Sequence, residues 1–486
     1  MAGEGATTVL TVDLGAESGR VMAVDASRGA LHLRELHRFA NRPVEVRGTL
    51  YWDILALWAE VRQGIEVGLE LKPASLGVDS WAVDFGLLDA SGALLGNPVH
   101  YRDRRTDGAV ERLTARLGRE RIFEATGIQF MPINTLTQLF AMRERGAPEL
   151  AHARRFLMIP DLLNYWLTGA QACEFSNATT TQLYDPRARD WSRPLLDALD
   201  LDPALFPEVR APGTLLGTYR GVDVVVPATH DTGSAVAAMP ATAPDAAFIS
   251  SGTWSLVGTV VDAPVINAAA LAANVTNEGA ADGRFRLLKN VMGLWILQEC
   301  RRAWQRQGVT MSYDAIVELA AREPALRSVI PVDDARFLPP GDHPQVVRDV
   351  CRERGEPVPE TPAAIARCVF DSLALAYRRV LETLSALTGR SFGAVHVLGG
   401  GSRNALLNQA TADACARTVV AGPAEATVLG NALVQLRALG VVADLDEGRR
   451  WIASNSEQRT FEPRDVGAWD AAYARLADTR SEGSNL

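Results

Sequence analysis

The chain of 486 residues is too long for one ordinary hydrophobic core, and 47% hydrophobic with 22% charged residues is the composition of a soluble globular protein of two or three domains. A net charge of −9 and the lack of any basic run argue against phosphate-backbone binding, so no nucleic-acid partner is expected. The N-terminus "MAGEGATTVL" has no charged n-region or apolar run of signal length, and nowhere do about 18 apolar residues follow one another. No membrane association and a cytoplasmic location are therefore expected.

Strands alternate with helices along the chain, which predicts an α/β architecture. "TTVLTVD" (7–13) and "RVMAVD" (20–25) read as strands joined by the turn "LGAESG". Residues 50–71 carry apolar side chains at helical spacing and predict an amphipathic helix on the sheet. "ASLGVDSWAVDFGLLD" (74–89) predicts a second strand pair around Asp79 and Asp84, read as structural carboxylates at a sheet end. After a helix near "PDLLNYWLTG", the polar segment "EFSNATTTQLYDPRARDW" (174–191) reads as a sugar-facing wall. "VVVPATHDTGSAVAAMP" (224–240) runs a strand into His230, Asp231 and Thr232 and then into a helix.

After Pro240 the pattern restarts. "DAAFISSGTWSLVGTVVD" (245–262) is again strand, glycine turn, strand, which suggests a duplication with its boundary near residue 240. A long helix over 360–389, a strand "AVHVLGG" (394–400) and a helix opening at "GGSRN" complete the reading. Strand, glycines and helix start leave backbone open to a ligand and offer free N–H groups at a positive dipole end.

Cys173, Cys300, Cys351, Cys368 and Cys415 form no Cys-x-x-Cys pair and are expected to be free packing thiols, although Cys351 and Cys368 flank a Pro-rich loop and are placed to approach each other. Lys72 and Lys289 are the only lysines, and neither a G-x-x-x-x-G-K-[ST] string nor a His-Arg-Asp loop is present. P-loop and protein-kinase chemistry are thereby excluded. Asp231 begins an Asp-Thr-Gly string, but an aspartic protease needs two such aspartates and this chain has one. A helix cap and a general base beside a phosphate site both remain open for it. Asp13, at a strand end before the turn Gly15–Gly19, fits a carboxylate that holds hydrated Mg²⁺ while turn N–H groups and Ser18 meet phosphate oxygens and Arg20 adds a cation. The alternative is a plain hairpin turn with Gly19 at positive φ.

"VDLGAESGRV", "GVDSWAVDFGLLD", "YRDRRTDG", "PATHDTGSAVAA", "SSGTWSLVG", "HVLGGGSRNALLNQATAD" and "AGPAEATVLGNAL" together resemble the FGGY family of carbohydrate kinases over essentially the whole chain. "ESGRV", "NTLTQL" and "NATTTQLYDP" resemble its members that phosphorylate the 1-hydroxyl of L-rhamnulose, with kinases of L-fuculose or D-xylulose, or a non-catalytic actin-like ATP-binding module, as the alternatives. The resemblance implies two ribonuclease-H-like domains of the actin and hexokinase type around a central cleft, with residues 1–240 binding sugar and 241–486 binding ATP. It implies that Ala16, Glu17, Ser18, Gly19 and Arg20 face the ATP phosphates, with Glu17 a solvated turn residue, and that Thr253, Gln298 and Gly400 contact the nucleotide. It further implies that Ala82, His230, Asp231, Thr232 and Asn290 contact the sugar, with Asp231 the catalytic base. The family usually has Gly where Ala82 follows Trp81, so one extra methyl stands at the expected sugar wall. The implied partners are ATP, Mg²⁺ and a small sugar, in a monomer or small homo-oligomer.

Overall fold

The first strand-turn-strand unit forms β1 (Thr7–Leu14) and β2 (Ser18–Ser27), paired antiparallel with Asp13 opposite Arg20, in a computed structural model that describes residues 6–240 and 245–478. Gly19 does not sit at positive φ, as a plain hairpin turn would have it. It is glycine because a Cβ there would lie 2.3 Å from the Phe39 ring. With β3 (Ala30–Ala40), β4 (Ser75–Ser80), β5 (Leu215–Tyr219) and β6 (Val222–Val225), these strands form a sheet of order β5-β6-β4-β1-β2-β3. β6, β4 and β1 run parallel, and the flanking pairs are antiparallel.

Three sequence expectations are corrected here. Residues 74–89 do form two strands, but they are not a pair: β4 is flanked by β1 and β6, so no edge is left, and Phe85–Leu88 pairs with Arg155–Met158 instead. The helix expected from residue 50 starts at Ile54, after a short strand Thr49–Trp52, because the Asp53 side chain accepts the Ala56 N–H at 3.2 Å and caps it there. Residues 173–184 are buried throughout, with 175–181 folded as two short helical turns between short strands rather than as an open wall.

A second sheet contains β7 (Ala246–Ser251), β8 (Trp254–Val261), β9 (Phe285–Met292), β10 (Ala394–Leu398), β11 (Thr418–Ala421) and β12 (Arg459–Phe461) in the order β9-β8-β7-β10-β11-β12, with Thr276–Gly279 beyond β9. An antiparallel β7–β8 hairpin is followed by parallel β10 and β11 and an antiparallel edge β12. Read from the hairpin outward, this repeats the order and sense of β2-β1-β4-β6-β5. The expected long helix is Pro362–Thr388, opened by Thr361 as cap and closed by Gly389 at φ 68°.

The chain forms two compact units, one of Met1–Thr242, Val260–Leu287 and Glu425–Ser456, the other of Ala243–Thr259, Leu288–Ala424 and Glu457–Leu486. The boundary expected near residue 240 falls beside residues 241–244, which lie outside the described ones. All five cysteines are free thiols. Cys351 and Cys368 do meet: hydrogen bonding between them, then burial, pushes the Cys368 thiol well up.

Glycine is demanded unequally in the loop after β10. A Cβ on Gly401 would lie 2.0 Å from Ser251 Oγ and 3.1 Å from the Ser251 carbonyl, whereas one on Gly400 would meet nothing within 4 Å. Gly401→Ala is expected to cost about 1–3 kcal/mol by overpacking and to lower the melting temperature, with Gly400→Ala near neutral. Thermal melts of both variants check this.

Candidate active site

The parallel strands of the first unit end together, and ligands of open α/β sheets bind at such carboxyl ends. Asp13 lies directly opposite Asp79 in the β1–β4 register, and the residues after β6 lead to Thr229, whose carbonyl accepts the Ser80 N–H at 2.9 Å. Asp13, Asp79 and Asp231 are thereby brought within electrostatic reach of one another. Burial first, and then the charge of Asp13, push the Asp79 carboxyl well above its ordinary range, against a hydrogen bond donated by Asn431.

Arg20 is held between two carboxylates. Its Nε and Nη2 donate to Asp13 Oδ2 at 3.0 and 2.7 Å, and its Nη1 pairs with Glu425, the residue preceding the helix Ala426–Ala438. Burial opposes its charge, but the two anions outweigh burial and raise its pKa. The turn before it is braced by Asn41, whose Nδ2 donates to the Gly15 carbonyl at 3.0 Å. Within that turn Ala16 and Glu17 are half-buried and Ser18 is exposed.

Asp231 is the first residue of the helix Asp231–Ala237, and His230 occupies the cap position. Asp231 is therefore not the cap residue, although its side chain does accept one of the free N–H groups of the first turn. Its Oδ1 accepts from the adjacent Thr232 N–H at 2.5 Å and from Thr232 Oγ1 at 3.3 Å, with His230 Nε2 3.4 Å away. The carboxylate is 30% exposed, and its Oδ2 has no protein donor among the described residues. Burial, helped by the charge of Asp13 and opposed by His230, raises its pKa. The helix is seated by close backbone packing: a Cβ on Gly430 would lie 1.7 Å from the Ser234 carbonyl oxygen.

A buried polar frame fixes this loop from behind. Glu174 Oε2 accepts from the Thr229 N–H and hydroxyl, each at 2.9 Å, and Ser176 Oγ accepts the His230 N–H at 3.1 Å. Glu174 and Ser176 thus hold the loop that leads into Asp231, which explains their polar character without exposure. On its other edge, His230 Nδ1 lies 3.2 Å from Arg286 Nη2 and 3.3 Å from Glu278 Oε2, with Arg286 fully buried and its Nε donating to the Gly279 carbonyl at 2.8 Å.

In the second unit, the "SGTW" turn joins β7 to β8, and the Thr253 carbonyl accepts the Trp295 N–H at 3.1 Å at the start of the helix Trp295–Arg306. One turn into that helix, Gln298 Oε1 is buried without a protein partner among the described residues. Gly400 is exposed in the loop after β10, whose next residue, Gly401, packs on Ser251. Thr253, Gln298 and Gly400 therefore gather around the end of β7. Asn290 lies half-buried on β9 in this unit, whereas Ala82, His230, Asp231 and Thr232 belong to the first. Glu425, Glu278, Arg286 and the Glu174 frame were missed by sequence reasoning, because each acts on a partner far away in the chain. Among the described residues no group of three or more His, Cys, Asp or Glu side chains is arranged to hold a metal ion.

Comparison with known proteins agrees with this arrangement. Residues 8–222 match the N-terminal domain and residues 247–439 the C-terminal domain of the FGGY family of carbohydrate kinases. A protein named Rhamnulokinase from Pectobacterium carotovorum subsp. carotovorum is 44% identical over 465 residues, covering 94% of this chain and 93% of that one. A Rhamnulokinase from Bacteroides thetaiotaomicron is 44% identical over 474 residues, covering 95% and 97%. The fold matches the crystal structure of gluconate kinase from Lactobacillus acidophilus with a TM-score of 0.79 at 15% identity, over 98% of this chain and 97% of that one. The chain belongs to the FGGY family of carbohydrate kinases.

Proposed function

We propose that this chain transfers the γ-phosphoryl group of ATP to the 1-hydroxyl of L-rhamnulose, giving L-rhamnulose 1-phosphate and ADP, with Asp231 as the general base. The observation that carries the reading is the Asp231 carboxylate: partly exposed beside the turn Ala16–Arg20, anchored through Oδ1, and with Oδ2 without a protein donor among the described residues. Support for the choice of sugar comes from near-full-length relatives named Rhamnulokinase at 44% identity.

In this reading Oδ2 receives the proton of the attacking hydroxyl as its bond to phosphorus forms, so a carboxylate suffices and no catalytic lysine is needed. Ala82, His230, Thr232 and Asn290 complete the sugar contacts, and the turn Ala16–Arg20 with Thr253, Gln298 and Gly400 takes the nucleotide. Residues 1–240 then serve mainly the sugar and 241–486 mainly ATP. Mg²⁺ bound with ATP would supply positive charge to the phosphates. Asp13 fits an outer contact to it: Oδ2 is committed to Arg20, while Oδ1 carries no protein hydrogen bond among the described residues and is left to hold a water. A cytoplasmic monomer or small homo-oligomer is part of the same proposal; among the described residues no helix is long and apolar enough to cross a membrane.

Five measurements test it. Across a panel of L-rhamnulose, L-fuculose, D-xylulose and glycerol, L-rhamnulose should give the highest kcat/KM. A better rate on another sugar would move the specificity and leave the family, and sugar-independent ATP binding without turnover would favour the actin-like module. Ala82→Gly should change the sugar KM by the equivalent of about 1 kcal/mol, the worth of one methyl, with little change in the KM for ATP.

Asp231→Asn keeps an oxygen for the Thr232 N–H, so it should melt near the parent while kcat falls by roughly 10²-fold or more, the scale of lost general-base catalysis. Retained kcat would leave Asp231 as a structural residue. Because the raised pKa belongs to a group that works deprotonated, kcat should climb with pH along an acid limb above the ordinary carboxylate value of about 4, and this limb should vanish in the Asn variant.

Asp13→Ala frees Arg20 from one of its two anions and removes the water-holding oxygen. Turnover should fall much further than sugar affinity, by steady-state kinetics with each substrate varied. Equal losses in both would assign Asp13 to the fold alone.

A further inference from the structure

Directly after β4 the chain makes a bend that its residue types do not favour. Val83 sits at φ 67°, in the left-handed region that β-branched residues avoid, and the Asp84 N–H donates to the Ala82 carbonyl at 2.9 Å. This is a γ-turn of the strained, positive-φ hand. Strain of this kind persists only where the surroundings over-determine it, and it concentrates at functional sites.

Asp84 supplies the over-determination. It is fully buried, and its Oδ2 accepts from Trp52 Nε1 at 2.5 Å, Trp81 Nε1 at 3.1 Å and the Tyr101 N–H at 3.2 Å, while Oδ1 accepts from Gln138 Nε2 at 3.0 Å. Thr135 Oγ1 and Gln138 Nε2 also donate to the Val83 carbonyl, at 2.7 and 3.3 Å. The rings close the cage: Trp52 lies 4.2 Å from Trp81 and 4.0 Å from His100 between centroids. Arg105, bonded to Gln138, is the cation facing the carboxylate.

The bend is tied to the candidate site by backbone on both sides. The Trp81 N–H donates to the Leu14 carbonyl at 3.2 Å, at the start of the phosphate turn, and the Ser80 N–H to the Thr229 carbonyl, two residues before Asp231. A buried carboxylate is a poor source of net stability compared with well-packed apolar side chains, but it fixes donors in direction. Burial pushes the Asp84 carboxyl up to about 6, against the hydrogen bonds from Trp52, Gln138 and Trp81, so the fold retains the group at an electrostatic cost.

We propose that Asp84 is a positioning residue for sugar selectivity: by clamping Trp81, Ala82 and Val83 in one strained geometry beside the Asp231 loop, it shapes the wall that discriminates among ketoses. The proposal rests on the reading of Asp231 as base of a sugar kinase. Asp84 itself touches no substrate. Its loss should therefore loosen recognition of the sugar without removing the chemistry.

The test uses the full chain with Asp84→Asn and Trp52→Phe, which respectively neutralise the clamp and delete one donor while keeping an aromatic ring. For Asp84→Asn the KM for L-rhamnulose should rise about tenfold, and the kcat/KM preference for L-rhamnulose over D-xylulose should shrink by about the same factor. The kcat and the KM for ATP should stay within about threefold. Trp52→Phe should shift the same two quantities in the same direction by less, and it decides the matter if the Asn variant does not fold. An unchanged sugar preference in the folded variants, or parallel losses in kcat, sugar KM and ATP KM that track a lowered melting temperature, would overturn the proposal. A parent enzyme inactive on every sugar would overturn the functional reading and this one together, whereas an active parent with unaltered variant selectivity overturns this one alone.

Discussion

The parallel register of β1 and β4 sets Asp13 opposite Asp79, and the chain after β6 adds Asp231 to the same end of the sheet. Three carboxylates cannot crowd together at one sheet end as free anions. Much of the surrounding polar structure answers that constraint. Asp79, at the centre, is moved toward the protonated form by burial and by the charge of Asp13, against the hydrogen bond with which Asn431 holds it. Asp13 is matched by Arg20, and Arg20 by Glu425. The third carboxylate, Asp231, keeps partial exposure and, among the described residues, one oxygen without a protein donor, the condition a proton acceptor needs.

The same helix supplies two of these answers. Glu425 precedes Ala426–Ala438, Asn431 lies within it, and Gln435 one turn on donates to the Leu10 carbonyl at 2.9 Å and to Asn431 Oδ1 at 2.7 Å. Gly77 on β4 is required beneath it, since a Cβ there would meet Asn431 Oδ1 at 2.7 Å. The helix is therefore a polar strut running from the sheet to the phosphate turn, and its residues are fixed by what they touch on strands hundreds of positions earlier.

That separation decides what could be read from the chain. Elements whose signals are local were legible: the β1–β2 and β7–β8 units, the capped helix Pro362–Thr388 and the glycine loop after β10 all carry their own turn and cap residues. Asp231 was legible as a functional candidate because a carboxylate at a strand-to-helix junction is a local pattern, yet its place one residue inside the cap and its direct bond to the Thr232 N–H depend on local geometry. Glu425 was not legible as the partner of Arg20, 405 residues away. The segment 174–184 was misread for a related reason: polar residues suggest exposure when no partner is visible, and Glu174 and Ser176 find theirs in the backbone of Thr229 and His230. The supposed hairpin at 74–89 failed because pairing is a property of the sheet, and both edges of β4 were already taken.

One consequence reaches the chemistry. The proton affinity of Asp231 is set partly by Asp13, a residue that binds Arg20 rather than the base. Anything that draws Asp13 further toward positive charge weakens its push on Asp231, and anything that withdraws Arg20 strengthens it. In the proposed reading, a polyanion at the turn Ala16–Arg20 would compete with Asp13 and Glu425 for the same guanidinium and so would release negative charge at the strand ends. Released carboxylate charge raises the affinity of the neighbouring base for a proton, and phosphoryl transfer asks for that affinity only once the phosphates are in place. On the proposed assignment, the ion pairs that hold the turn would thus also make the proton affinity of Asp231 depend on whether that turn is filled.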